Sequence, residues 1–324
     1  MNNIGILGCG NIATKMAETV NEMKNVNLHA VASRSLDKAE QFAKKYKSKK
    51  AYGSYDELLK DDEIDLVYIA VPHSHHYQLI KDALNHNKNV LCEKAFTSNA
   101  KMAREVLQMA KDKNLLLAEA IWTRYLPSRK IISDIIASGV LGIISSVDSN
   151  LGYNIQHVKR VQDKALAGGA LLDLGVYPIN FTFMFFGSKI KKIESSVVFD
   201  KDTGVDGQEN VSLIYENGML ATFRTSIYAS LDRRGVIHGD KGYLEITNIN
   251  NPEAIKLYDE NYSLVKEYKI PVQITGFEYQ VQECFDCISK GIIETPSMPH
   301  SEIIRVMDIC DALRDSWNYH FPFE

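Results

Sequence analysis

Apolar residues in the first third of this chain fall into short continuous runs separated by stretches of helical periodicity. Ile4–Leu7, Leu28–Ala32, Leu66–Val71, Val90–Glu93 and Leu115–Ala118 read as strands. The first segment between them sets Ile12, Met16, Val20 and Met23 on one helical face. Strands that are apolar throughout, rather than at alternate positions, are buried on both faces, which predicts a parallel sheet between two helix layers. Asn87, just past the helix around Ile80–Leu84, is placed for a left-handed C-cap.

The pattern changes after a helix near Arg129–Ala137. From Ile143 to about Pro271 the chain is rich in alternating, β-branched strands with turn residues between them. Glu216-Asn217-Gly218-Met219, between Val211–Tyr215 and Leu220–Phe223, predicts a hairpin closed by a type I′ turn. Asp259-Glu260-Asn261 predicts a second hairpin turn, and two helices follow, near Gly276–Lys290 and Ser301–Tyr319. The expected architecture is an α/β Rossmann domain with a doubly wound parallel sheet over residues 1–121. An α+β domain with a large, mainly antiparallel sheet is expected over residues 122–324.

A chain of 324 residues exceeds what one core usually serves, in keeping with two domains. Its hydrophobic share of 45% and charged share of 24% argue against extensive disorder. A net charge of -4 gives no electrostatic reason to expect nucleic acid or membrane partners. No apolar run approaches the roughly 20 residues needed to span a bilayer, and a strand at Ile4 leaves no room for a signal peptide. Five cysteines, an odd number, point to reduced thiols and a cytoplasmic protein. Cys284 and Cys287 sit in an amphipathic helical pattern with no second ligand pair, so packing outranks zinc. His73, His75 and His76 lack acidic or cysteine companions, and no metal is expected.

The chemistry begins at Gly8-Cys9-Gly10-Asn11-Ile12-Ala13, which follows a strand and opens a helix, the context a dinucleotide fingerprint requires. Gly8 permits the tight turn, Gly10 lets backbone approach a pyrophosphate, and Ala13 allows close helix–strand packing. The phosphates would meet the unpaired N–H groups of Asn11, Ile12 and their neighbours at the positive end of the helix. At the end of the second strand, NAD enzymes usually present a carboxylate to the ribose. Here the chain reads Ala32-Ser33-Arg34-Ser35, with Lys38 one turn later. A hydroxyl and two cations suit a 2′-phosphate, so NADP is favoured over NAD, although Arg34 and Lys38 also suit a solvated helix start.

Four ordered motifs carry a resemblance to the Gfo/Idh/MocA oxidoreductases over essentially the whole length. They are GCGNIA, Val71-Pro72-His73-Ser74-His75-His76, Cys92-Glu93-Lys94-Ala95, and the run Gly168–Pro178. Glu119–Pro127 further resembles the dimeric dihydrodiol and NADP-dependent aldose dehydrogenases of that family. The resemblance implies that Lys94 is the catalytic lysine near the nicotinamide, with Ala95 where the family usually has proline. It also implies that Pro72, His73, His76 and Glu93 lie along the cofactor, and that Asp173 and Tyr177 share one face of a helix over Asp173–Phe183. Tyr177 would act as general acid–base with Lys94 lowering its pKa, and Asp173 would fix a substrate hydroxyl. Either Tyr177 or Lys94 could otherwise be an ordinary half-buried or strand-end side chain. Trp122 and Arg124 are candidates to line the substrate pocket, Trp122 equally for packing. The implied activity is hydride transfer to or from a secondary alcohol or hemiacetal carbon of a sugar, polyol or cyclic diol, in a homodimer. The rival is a non-catalytic dinucleotide-binding regulator on the same fold.

Overall fold

The structure, a computed structural model, describes residues 2–324. It divides into two compact units. The first holds the chain through Trp122 together with Gln273–Met307, and the second holds Thr123–Val272 and Asp308–Glu324.

The first unit alternates strand and helix: β1 (Asn2–Leu7), α1 (Asn11–Glu22), β2 (Val26–Ala32), α2 (Leu36–Tyr46), β3 (Lys50–Tyr52), α3 (Tyr55–Leu59), β4 (Leu66–Ile69), α4 (His76–Asn85), β5 (Asn89–Glu93), α5 (Ala100–Lys113) and β6 (Leu117–Ala120). All six strands pair in parallel, in the order β3-β2-β1-β4-β5-β6. Ile4, Ile6, Leu66, Val67, Tyr68 and Ile69 are fully buried, as strands covered by helices on both sides require. The sheet reverses its winding between β1 and β4, and such switch points open a crevice beyond the carboxyl ends of the strands.

Several strand limits differ from the sequence expectation by one or two residues, and two of the shifts have a visible cause. β4 stops at Ile69 because the chain turns away at Val71-Pro72, where Pro72 has no N–H for a ladder. β6 begins at Leu117 rather than Leu115 because the Leu115 amide closes α5, donating to Ala110 O at 3.0 Å past a left-handed Asn114. Asn87 does take the left-handed conformation, at φ 56°.

The second unit contains α6 (Pro127–Ala137), β7 (Ile144–Gly152), α7 (Val176–Phe186), β8 (Ile190–Phe199), β9 (Asp206–Tyr215), β10 (Leu220–Ser226), β11 (Gly235–Gly239), β12 (Gly242–Thr247), β13 (Ala254–Asp259) and β14 (Leu264–Tyr268). Its eight strands form one sheet, β14-β13-β12-β11-β7-β10-β9-β8, antiparallel except for the β7–β10 pair. The β9–β10 hairpin exists, but its turn is not type I′. Gly218 has φ 88° while Asn217 is not left-handed, and Gly218 N donates to Tyr215 O at 3.1 Å. This is a type I turn followed by a glycine bulge, which needs one left-handed residue instead of two.

The expected boundary at 121/122 is redrawn in one respect. Residues 273–307, with α8 (Glu278–Ser289) and the start of α9 (His300–Ser316), belong to the first unit. Leu117 N donates to Ile293 O at 3.1 Å, and the His300 ring lies 2.8 Å from Leu117 O, so this segment closes the open side of β6. One helical stretch, Lys164–Phe186, is long and apolar enough to cross a membrane by length and composition, which a scan for uninterrupted apolar runs does not reveal. Its most apolar window is 83% buried inside the protein, as in a core helix.

Candidate active site

The loop after β1 is shaped by two glycines with different duties. Gly8 sits at φ 109°, and a Cβ there would stand 2.3 Å from the carbonyl oxygen of Ala70, so no larger residue fits. Its amide donates to Ala32 O at 2.9 Å, tying the loop to the end of β2. Gly10 caps α1 at φ −89° with no side-chain hydrogen bond, and a Cβ there would meet nothing within 4 Å. The first bond inside α1 runs from Thr14 N to Gly10 O, leaving the amides of Asn11, Ile12 and Ala13 pointing out of the helix start. Ala13 is fully buried. Open space in front of uncapped, positively polarised amides fits a pyrophosphate.

At the end of β2, Ser33 is half-buried while Arg34 and Lys38 are exposed. Burial pushes the Cys9 thiol up, against the Ser33 hydrogen bond and the charge of Lys38, so these three groups adjoin. Burial also raises Tyr55 and lowers His75, and the charge of Arg34 lowers both. Ser33, Arg34 and Lys38 therefore gather with Tyr55 and His75 around the fingerprint loop. Sequence reasoning missed Tyr55 and weighed His75 only as a metal ligand.

Beyond β4 and β5 the chain is locked by buried polar groups. His76 is fully buried, with Nδ1 2.8 Å from Ala95 O and Nε2 2.9 Å from Val71 O. Burial, helped by the charge of Lys94, pushes its pKa down to about 4 against the pull of those carbonyls, leaving a neutral ring. A neutral ring donates from one nitrogen only, to Ala95 O or to Val71 O, and either bond ties His76 to the strand ends that flank Lys94. His73, also buried, meets the His76 ring edge-on at 5.8 Å, and Pro72 is half-buried before it. Glu93 accepts from the Tyr68 hydroxyl and from the Lys94 amide, the latter at 3.2 Å. Phe96 N donates to Glu119 Oε1 at 3.1 Å. Lys94 itself is half-buried, and its peptide bond to Ala95 is cis.

Trp122 is packed rather than open: its ring meets Phe277 at 4.9 Å, and the Lys15 ammonium lies 4.4 Å from the Trp122 ring and 4.5 Å from Phe277. Burial lowers the pKa of Lys15, against the charges of Glu93 and Glu278.

In the second unit the expected helix over Asp173–Phe183 is not uniform. Leu171–Gly175 forms a π-helical turn, and α7 starts at Val176. Asp173 and Tyr177 therefore lie on either side of a change in helical pitch, not at α-helical i, i+4 spacing. Both are buried. Arg160, which the sequence did not flag, holds Asp173 in a fork, Nη1 to Oδ1 at 3.0 Å and Nη2 to Oδ2 at 3.3 Å. Arg124 is fully buried and donates from Nε to Asn180 Oδ1 at 2.5 Å, bracing α7 one turn beyond Tyr177.

Elsewhere, His29, Asp61 and Glu63 bring metal-type donor atoms within 4.8 Å of one another. The Lys50 ammonium already stands 3.0 Å from Asp61 and 2.7 Å from Glu63, compensating them from within the protein. Cys284 and Cys287 are buried in α8, where Cys287 Sγ lies 3.6 Å from Glu294 O.

Comparison with known proteins places this geometry. Residues 2–120 match the GFO_IDH_MocA oxidoreductase family with its NAD-binding Rossmann fold, and residues 130–245 match the GFO/IDH/MocA C-terminal domain. The human trans-1,2-dihydrobenzene-1,2-diol dehydrogenase is 35% identical over 302 residues, covering 90% of this chain and 89% of that protein. The mouse enzyme of the same name is 32% identical over 328 residues, covering 98% and 97%. The fold is shared with a 3-ketoreductase from Actinomadura kijaniata solved with NADP and TDP-benzene (TM-score 0.88, 23% identity, 97% of each chain). It is shared equally with an aldose-aldose oxidoreductase from Caulobacter crescentus (TM-score 0.88, 20% identity, 98% and 97%). With both domain signatures in order and relatives of this identity over nearly its full length, the chain belongs to the GFO/IDH/MocA family of NAD(P)-binding oxidoreductases.

Proposed function

We propose that this enzyme prefers NADP and moves a hydride between the nicotinamide and a secondary alcohol or hemiacetal carbon of a sugar, polyol or cyclic diol. The observation that carries the reading lies within the first unit. A pyrophosphate-shaped loop follows β1, and Lys94 follows β5, both at the carboxyl edge of a sheet whose order reverses at β1. Ser33 and Arg34 stand at the end of β2 where NAD enzymes usually carry a carboxylate, and with Lys38 one turn on they support NADP over NAD. The substrates in the names of similar proteins, a dihydrodiol and an aldose, support the substrate class.

When bound, the nicotinamide supplies or accepts the hydride. Lys94 donates to the substrate oxygen and stabilises the charge that develops there. Tyr177 takes the hydroxyl proton in oxidation and returns it in reduction, a role that needs a neighbouring cation to favour its anion. Asp173, oriented by the Arg160 fork, accepts from a further substrate hydroxyl. The outward face of the second unit's sheet, where Tyr243 stacks on Tyr258 at 4.7 Å, is read as the surface of a homodimer. A light-scattering mass of one chain would remove that part.

The test is turnover of trans-1,2-dihydrobenzene-1,2-diol, D-xylose and D-glucose with NADP and with NAD, followed by cofactor absorbance. Lys94→Met and Tyr177→Phe should each lower kcat by about 10²–10⁴-fold while NADPH still binds. Full turnover in either variant strikes that residue from the mechanism.

A further inference from the structure

Two carboxyl groups that this mechanism does not use lie beneath the turn that carries Asp173. Asp206 and Glu209 both belong to β9, three residues apart, a spacing that puts side chains on opposite faces of a regular strand. The pairing with β8 reverses that expectation. Val198 pairs with Gln208 and Phe199 with Asp206, so Gly207 is an extra residue on β9, and the bulge brings Asp206 round to the side of Glu209, Val211 and Leu213. Both carboxylic side chains belong to residues only 2% exposed.

Each carboxyl group meets one end of the π-helical turn. At its start, Leu171 N donates to Asp206 Oδ2 at 2.6 Å. Gly169, at φ 118°, comes so close that a Cβ there would stand 1.9 Å from Asp206 Oδ1. At its end, a Cβ on Gly175 would lie 3.0 Å from Glu209 Oε1. Thr225 on β10 donates its hydroxyl to that same oxygen, and Glu209 Oε2 meets no hydrogen-bond partner among the described residues. The turn is thus seated on two buried acids.

We propose that Asp206 and Glu209 are positioning residues for Asp173 and Tyr177, Asp206 anchoring the start of the turn through the Leu171 amide and Glu209 supporting its end. The proposal rests on the catalytic reading of Tyr177. Two buried carboxyl groups on the same side of one strand cannot both ionise cheaply. Burial raises both groups, and the charge of Asp206 raises Glu209 further. Asp206 is the better anion because backbone amides of Leu171 and Ala170 and the charge of Arg314 favour it. The other groups facing the pair are Tyr228, which donates to Asp200, and Tyr319 after α9, while Arg314 is itself paired with Asp311 and Glu324. Carboxyl groups raised in the folded state hold a proton that the unfolded chain has released. Their contribution to stability is therefore complete below the unfolded pKa and is lost as pH rises through the folded one.

The experiment pairs Glu209→Gln with Asp206→Asn. Glutamine copies the shape of the protonated acid without a titrating proton. Glu209→Gln should keep kcat near neutral pH and lose the decline on the alkaline side, both in Tm and in kcat for oxidation of trans-1,2-dihydrobenzene-1,2-diol. Asp206→Asn should lower kcat by about tenfold or more, since misplacing reacting groups is costly, with KM for NADP unchanged. Amide hydrogen exchange across residues 171–176 should quicken in Asp206→Asn while the fingerprint loop stays as it is. A Glu209→Gln profile that superimposes on the wild type, or unchanged exchange in Asp206→Asn, overturns the proposal. Exchange and Tm against pH need no substrate, so they decide the pair even where Tyr177→Phe retains turnover and removes the catalytic reading.

Discussion

Gly8 and Gly10 stand two residues apart in one loop, yet alanine at each position should do opposite things. At Gly8, φ of 109° and a Cβ 2.3 Å from Ala70 O combine conformational strain with a clash against backbone that cannot swing aside. Left-handed backbone costs an L-residue about 1–2 kcal/mol, and relief of the clash brings the loss to roughly 2–4 kcal/mol. At Gly10, φ of −89° is ordinary and no atom lies within 4 Å of the added methyl. That substitution should leave stability near the wild type, the gain of about 0.4–1 kcal/mol through the unfolded chain offsetting alanine's poorer fit at an N-cap. The same methyl stands where a pyrophosphate must approach the amides of α1, so NADPH affinity should fall at least about tenfold, or about 1.4 kcal/mol. Thermal melts with and without NADPH, together with a fluorescence titration, separate the effects. Gly8→Ala should melt several degrees lower, whereas Gly10→Ala should melt like the wild type without cofactor and gain little with it. Unchanged NADPH affinity in Gly10→Ala would refute the docking of the pyrophosphate at this helix.

Arg34→Ala should weaken NADPH by about 10-fold or more through loss of a charge-assisted phosphate contact, with NADH binding unaffected; equal weakening of both would remove Arg34 from the 2′-phosphate. Burial raises the Asp61 carboxyl, but the Lys50 ammonium, the Glu63 amide and the Tyr52 hydroxyl outweigh it and hold it well below the usual range. A depressed carboxyl contributes stability above its unfolded pKa and loses it as pH falls through the folded value. Asp61→Asn should therefore flatten the acid side of a denaturant-midpoint profile, and an unaltered acid limb would show that Asp61 does not govern it. Asn99 caps α5, its Oδ1 accepting from Met102 N at 2.9 Å, so Asn99→Ala should cost about 1 kcal/mol, read as a lower urea midpoint at unchanged slope.

The residues themselves determined much of the first unit. Strands buried on both faces must be apolar throughout, Gly8 has no substitute at its φ, and a lysine ending a buried strand stands out against its neighbours. Tertiary structure decided what depends on register or on partners distant in sequence. A π-turn before α7, a type I turn with a glycine bulge after β9, and the return of residues 273–307 to the first unit all leave composition and periodicity unchanged. Arg160 reads as one more exposed cation until the fold brings it to Asp173, 13 residues away. Asp206 and Glu209 read as opposite-facing strand residues until Gly207 is squeezed out of register against β8. Local pattern reports which side of an element is wet or dry. It does not report one-residue shifts in hydrogen bonding, and those shifts set which charged groups finally meet.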